Sequence, residues 1–177
     1  GDNDIGYIEY DHSANQLALG ANAGSHIKID SAGHVTHPNT SCFQAYLASD
    51  QSVSATNATV TMNTEAFDIN SDFNTGTYTF TAPITGKYLL TTGVSNYGAA
   101  NSGDYTAVRI KTSNADYNDI HYEADQGSSR IGDHQVAVVA DMDANDTAYI
   151  YIFTQNDSSF TVRGTRENTF FSGYLLG

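Results

Sequence analysis

Two runs of alternating apolar residues, joined by a short Pro/Gly connection within residues 67–92, constrain the fold of this chain more than any other stretch. Aromatic and β-branched residues dominate Tyr78–Phe80 and Tyr88–Leu90, which is typical of β-strands. Between them Pro83 comes early and Gly86 late, as a tight turn requires. The final run, Phe170–Leu176, predicts a further buried strand. These patterns predict an all-β protein.

From Cys42 onward, predicted strands follow one another at short, regular intervals, as in an all-β sandwich. They are Cys42–Ala48, Ala58–Met62, Thr77–Ala82, Lys87–Asn96, Asp104–Ser113, Tyr117–Glu123, His134–Asp141, Thr147–Thr154 and Phe170–Leu176. In Thr147–Thr154, aromatic residues alternate with isoleucines, so both faces of the strand are apolar. A strand of this kind is covered on both faces, which predicts a place between the core and a neighbouring subunit.

The pattern divides the chain into a small β module at residues 1–35, a polar linker at 36–41 and a larger domain at 42–177. The module has three short predicted strands, Ile5–Tyr10, Leu17–Leu19 and Ile27–Asp30. Three such strands bury too little area to be stable alone, so the module requires neighbouring chains or the following domain.

Composition and motifs exclude several classes of function. Twenty Asp and Glu against seven Lys and Arg give a net charge of −13, which repels nucleic-acid backbones. No apolar run has the length of a membrane span. The single cysteine, Cys42, permits no disulfide within the chain and lies in a strand pattern that predicts a buried thiol. None of the six histidines belongs to a catalytic motif, so we do not expect an enzyme.

The larger domain resembles the complement C1q globular head. The resemblance rests on an aromatic and glycine signature and on a closing segment about 90 residues later, and these consist of Phe67, Phe73, Gly76, Tyr78, Phe80, Pro83, Gly86, Tyr88 and Phe171–Leu176. It implies a ten-stranded jelly roll of the tumour-necrosis-factor (TNF) type that assembles as a homotrimer. Because strands carry more aromatic residues than one small core needs, we expect one face of Thr147–Thr154 and the strand Phe170–Leu176 to lie near a subunit interface.

The N-terminal segments IEYDHSANQLAL and IKIDSAGHV resemble a module found in tail-fibre proteins of marine and cyanobacterial phages. Together the two resemblances imply the distal, receptor-binding head of a trimeric phage tail fibre, located in the virion and binding a glycan or protein on the host surface. The module would join the head to the fibre shaft or to tail proteins. The alternatives are a purely structural, trimerising virion protein and a secreted C1q-like adhesion or signalling module of a cellular organism.

Two loops are the candidates for receptor binding. In this fold the chain ends lie together at the base of the head, so we expect residues 97–104 and 116–119 to lie at the free end. Tyrosine rings stack on sugar rings, and Asn and Asp side chains form hydrogen bonds with the hydroxyl groups of sugars. The candidate contacts are Tyr97, Asn101, Tyr105, Asp116 and Tyr117.

An acidic segment suggests calcium, which takes six to eight oxygen ligands. Several C1q-like heads bind calcium near the trimer axis, and the resemblance aligns that region with residues 122–133. Glu123, Asp125 and Asp133 would be the ligands; the alternative is an ordinary solvated loop. For His34 and His37 there are likewise two interpretations: metal ligands on the trimer axis, or simply solvated side chains.

Overall fold

The computed structural model describes residues 6–22, 24–98, 104–122, 131–157 and 159–177, and within these ranges the regular structure consists of β-strands. The chain separates into two compact units, Gly1–Thr40 and Ser41–Gly177. The last strand of the first unit, Val35–Thr36, extends into the segment that the sequence suggests is a linker. No helix in the described ranges is long and apolar enough to span a membrane.

The first unit is an antiparallel sheet of four strands in chain order, β1 (Gly6–Asp11), β2 (Gln16–Ala21), β3 (Gly24–Ile29) and β4 (Val35–Thr36). Its register places Ile8, Leu19 and Ile27 side by side, and the neighbouring row contains Tyr10, Leu17, Ile29 and Val35. One face is therefore apolar, yet Ala18 is the only buried hydrophobic residue among those described in this unit. This face lacks cover within its own sheet.

The second unit contains thirteen strands. These are β5 (Cys42–Tyr46), β6 (Gln51–Val53), β7 (Asn57–Thr59), β8 (Thr64–Asp68), β9 (Phe73–Asn74), β10 (Thr79–Thr81), β11 (Gly86–Tyr97), β12 (Tyr105–Thr112), β13 (Asp116–Tyr122), β14 (Ile131–Met142), β15 (Thr147–Thr154), β16 (Phe160–Val162) and β17 (Phe170–Leu175).

These strands of the described residues form two antiparallel sheets, one of six strands and one of seven. One has the order β13-β12-β15-β10-β9, with β7 also pairing with β15. In the other, β11 pairs with β14 on one side and with β17 on the other, and β5 and β8 follow. The short strands β6 and β16 extend this second sheet beside the end of β11. Non-consecutive strands thus lie side by side in both sheets, as in a jelly roll.

The core lies between the two sheets and is rich in aromatic rings. Phe43 stacks on Phe80 with ring centroids 4.8 Å apart, and Phe171 meets Phe43 edge-on at 5.1 Å. Gly173 makes this packing possible, because a Cβ atom there would lie 2.3 Å from Cε1 of Phe43. Inward-facing Ile and Val residues of β12 and β15 complete the core.

The long strand β11 defines two ends of this unit. The first and last strands of this unit, β5 and β17, have Cys42 and Leu175 beside the first residues of β11, since Tyr88 pairs with Leu175 and Tyr174 pairs with Cys42. We call this the basal end. Tyr97 and its partner Ile131 mark the apical end. A strand of twelve residues spans about 35 Å, so the two ends are well separated.

Candidate functional site

An aromatic rim lies at the apical end. Tyr97 ends β11 and Tyr105 begins β12, so the two residues flank the connection between these strands. Tyr105 pairs with Tyr122 across the sheet, with ring centroids 5.7 Å apart. Tyr97 is 38% exposed and Tyr122 is 76% exposed. The rim therefore presents flat aromatic surfaces at the apical end, and a role of Tyr97 and Tyr105 in receptor binding stays a prediction.

The sequence reasoning places Asp116 and Tyr117 at the same end, and this is wrong. Asp116 pairs with Lys111, near the end of β12, whereas Tyr105 begins that strand. Six residue steps along a strand separate the two by about 20 Å. The reason is the tight turn between β12 and β13, which reverses the chain at the basal end, where the Ser113 amide donates to the carbonyl of Thr147.

Asp116 and Tyr117 also have partners of their own. The Asp116 carboxylate lies 3.3 Å from Lys111 Nζ and 3.7 Å from a guanidinium nitrogen of Arg109. Tyr117 is half-buried and packs against the core. They belong to a strand rather than to a loop, because β13 begins at Asp116.

Three predicted site residues, Asn101, Glu123 and Asp125, lie outside the described ranges. The third predicted calcium ligand, Asp133, is exposed on β14. It lines a cavity of about 290 Å³ together with Gln135, Arg163 and Glu167. An arginine, two carboxylates and an amide make this cavity polar, which suits a hydroxyl-rich ligand. Because Glu123 and Asp125 lie outside the described ranges, the predicted calcium site stays a prediction.

A second group of ligand-type side chains occurs where the edge strands of the two sheets meet. Asp119 and His121 alternate along β13 and so share its inward face, and His134 points inward from β14. Asp119 Oδ1 lies 3.2 Å from His121 Nε2, and Asp119 Oδ2 lies 3.3 Å from His134 Nδ1. The two imidazole rings stack with centroids 4.4 Å apart. We call Asp119, His121 and His134 the His–Asp cluster.

His134 is buried in an unusual state. The residue is 1% exposed, and neither ring nitrogen has an aligned hydrogen bond in the described part of the chain. Burial and the neighbouring His121 lower the pKa of His134 to about 4, although Asp119 and Asp133 favour its protonated form. The ring is therefore neutral at physiological pH.

The His–Asp cluster could not be predicted from the sequence, because it forms only when the two sheets pack. This packing brings His134 against His121, which lies thirteen residues earlier in the sequence. Asp-x-His at alternating positions of a predicted strand was the one local signal, since it places two ligand types on one face.

Comparison with known proteins identifies the fold. The sequence matches the C1q domain family over residues 42–176. The chain belongs to the C1q domain family. The globular domain of zebrafish complement 1qA protein is 18% identical, with a TM-score of 0.59, and the match covers 78% of this chain and 98% of that structure. No curated protein sequence matches the chain significantly.

TNF-type proteins share the same fold. Eiger TNF from S. frugiperda is 11% identical with a TM-score of 0.55, and the match covers 78% of this chain and 92% of that structure. Murine APRIL at pH 5.0 is 14% identical with a TM-score of 0.57, and the match covers 77% of this chain and 99% of that structure. At these identities the likeness shows the fold alone, and it confirms the predicted jelly roll. Domains of this C1q/TNF class are generally binding modules rather than enzymes.

Proposed function

We propose that this chain is the distal receptor-binding head of a trimeric phage tail fibre. The observation that carries the proposal is the aromatic rim of Tyr97, Tyr105 and Tyr122, which lies at the end of the head opposite Cys42 and Leu175. A head that is attached through its basal end presents this rim outward. Exposed tyrosines on a rigid scaffold bind sugars and protein surfaces by stacking.

Two uncovered apolar faces support assembly with further copies of the chain. On the open face of the sheet that contains β11, Val139, Leu89 and Tyr174 form one row, and each is at least one-third exposed. Phe170 and Tyr46 form a neighbouring pair on the same face. The four-stranded sheet of the first unit has its own apolar face, so association of identical chains would bury both.

Of the two strands that we expect at the interface, β17 has the more exposed apolar surface. The outward aromatic rings of β15 are partly covered, because Lys111 Nζ lies 5.2 Å from the ring centre of Tyr151 and Arg109 lies over Phe153. Tyr174 on β17 has no such cover and is 43% exposed. The β17 side is therefore the better candidate for the subunit contact.

Sedimentation equilibrium tests the trimer. We expect the unmodified chain to sediment as a trimer and Tyr174→Asp to split it, because a carboxylate cannot be buried in an apolar contact without a partner. Tyr151→Asp is the matched variant on the other sheet, and dissociation by that change alone would move the interface to β15. A stable monomer for the unmodified chain would contradict the proposal.

Binding to surface glycans and to cells tests receptor recognition. Three copies around an axis present three rims, so weak individual contacts add through multivalency. We expect Tyr97→Ala combined with Tyr105→Ala to abolish binding on a glycan array and on host cells. Tyr149→Ala removes a tyrosine near the basal end and serves as the control, since Tyr149 pairs with Lys111. If the unmodified trimer binds no glycan or cell surface, a purely structural role is favoured. Neighbouring tail genes would separate a virion protein from a secreted cellular module.

The first unit is proposed to join the head to the shaft of the fibre, as its resemblance to phage modules implies. Calcium remains a separate expectation that depends on Glu123, Asp125 and Asp133. Chelation that leaves the melting temperature unchanged would exclude a stabilising calcium ion.

A further inference from the structure

We propose that the His–Asp cluster binds one Zn²⁺ or a similar first-row divalent ion between the edges of the two sheets. Asp119 and His121 come from β13, the edge strand of one sheet, and His134 comes from β14, the edge strand of the other. The ion would link two strands that have no mutual β-ladder in the described part of the chain. Its three residues are different from those of the rim and from those considered for calcium.

The spacing of the donor atoms fits such an ion. Zinc bonds of about 2.0–2.1 Å in tetrahedral geometry place neighbouring ligand atoms roughly 3.3 Å apart. Asp119 is 3.2 Å from His121 Nε2 and 3.3 Å from His134 Nδ1, and one ligand atom from each of the three residues lies within 4.8 Å of the others. Small rotations of the side chains suffice to enclose an ion.

The buried ring of His134 provides independent support. A buried polar group without a hydrogen bond is costly. Nε2 of His134 has no partner among the described residues, and Nδ1 lies 3.3 Å from Asp119 Oδ2 without aligned hydrogen-bond geometry. A metal bond from one nitrogen removes part of this cost.

The donor set selects the class of ion. Two imidazoles and one carboxylate suit zinc and other first-row divalent metals, whereas calcium requires oxygen ligands. The Gln135 backbone N–H donates to Asp119 Oδ2 at 3.1 Å and so orients the carboxylate. His121 has a side chain that is 46% exposed, which gives the ion access and leaves room for water as a fourth ligand.

Such an ion would act as a structural link. His121 lies one residue before Tyr122 of the rim, and the segment between β13 and β14 begins directly after it. Binding to the folded state alone raises stability in proportion to ion concentration. The proposed link therefore stabilises the apical end where the aromatic rim lies, and it holds whether or not the rim binds a receptor.

Metal titration of the 177-residue chain tests the site. The protein is treated with EDTA, dialysed and titrated with Co²⁺ and then Zn²⁺. We expect one ion per cluster, visible absorption typical of tetrahedral cobalt, and displacement of cobalt by zinc. At an ion concentration about 100-fold above the dissociation constant, we expect the melting temperature to rise by about 5–10 °C. Calcium should produce neither effect at this site.

Variants connect the binding to these residues. His121→Asn is the decisive change, because an exposed side chain is replaced and the fold is retained. It should weaken metal binding by at least about 10-fold, because even residues that only hydrogen-bond to a metal ligand contribute about that much to affinity. His12→Asn removes an exposed histidine of the first unit and should bind as the unmodified chain does. Absence of cobalt and zinc binding at millimolar concentration, or unchanged affinity in His121→Asn, would overturn the proposal.

Discussion

The basal and apical ends of the jelly roll are built from different chemistry. Toward the basal end, Phe43, Phe73, Phe80 and Phe171 form a continuous aromatic cluster with ring centroids 4.8–6.2 Å apart. Toward the apical end the buried positions include the polar residues Ser95, Asn96, Thr106, His134 and Thr154, besides apolar ones such as Val94 and Val162. Both ends are equally well buried, so solvent exposure does not explain the difference.

Among the described residues, the hydrogen bonding of buried polar groups is also less complete at the apical end than at the basal end. Buried atoms without an aligned hydrogen bond include Asn96 Oδ1, Thr106 Oγ1 and the ring nitrogens of His134. Burying such groups costs free energy, whereas stacked aromatic rings gain it. The comparison indicates that the basal end supplies the stability of the head. The apical end gives up some of that stability while carrying the rim and the His–Asp cluster.

The largest expected effect tests the basal end directly. Phe43→Ala removes the ring at the centre of the aromatic cluster, and we expect a loss of about 3–5 kcal/mol in the free energy of unfolding because the cavity cannot refill. Urea denaturation measures the loss. Ile84→Ala truncates an exposed apolar side chain in the connection before β11 and should change stability by less than about 0.5 kcal/mol. Similar losses for the two variants would refute a basal aromatic core.

The sequence could predict the basal end because its signals are local. Alternating aromatic and β-branched residues indicate a strand, and Pro83 and Gly86 mark the turn that leads into β11. Phe80 and Phe171 lie on the inward faces that their alternation implies. Each of these inferences needs only a few neighbouring residues.

The apical site depends instead on how the sheets stack. The tight turn after β12 places Asp116 at the basal end, and a strand pattern alone does not reveal which end of the sandwich a turn occupies. His121 and His134 meet because two edge strands from different sheets approach each other. No periodicity in the sequence encodes that approach. The strands β6, β8, β9 and β16 were also missed. β6, β9 and β16 have only two or three residues, too few to show alternation, and β8 has no alternating apolar pattern.

Acidification should weaken the apical end by an intermediate amount in the metal-free protein. His134 has a pKa near 4 when folded and about 6.5 when unfolded, so the unfolded chain binds more protons between these values. Stability should therefore fall as the pH drops, by about 2 kcal/mol between pH 7 and pH 5. The charged groups that face the ring are His121, Asp119 and Asp133, and the two carboxylates moderate the effect.

Urea denaturation in EDTA at several pH values measures this dependence. A loss between pH 7 and pH 5 lies above the range in which carboxyl groups titrate, which points to a histidine. Phe43→Ala lowers stability equally at each pH, because no titrating group is removed. A stability that stays constant between pH 7 and pH 5 would show that His134 is solvated or already partnered in the folded state.

The smallest expected effect compares two neighbouring threonines at the apical end. Thr106 and Thr154 face each other on β12 and β15, and both are fully buried. The hydroxyl group of Thr154 donates to the carbonyl of Asp157 at 2.6 Å, whereas Oγ1 of Thr106 has no aligned partner among the described residues. Thr106→Val should therefore be neutral or stabilising by up to about 1 kcal/mol, since it replaces an unsatisfied hydroxyl by a methyl group of similar shape. Thr154→Val removes an existing hydrogen bond and leaves the Asp157 carbonyl without this donor, so it should lower the free energy of unfolding by about 1–2 kcal/mol. Urea denaturation measures both changes. Equal destabilisation would mean that the Thr106 hydroxyl is hydrogen-bonded to water, and the apical end would then not have less complete hydrogen bonding than the basal end.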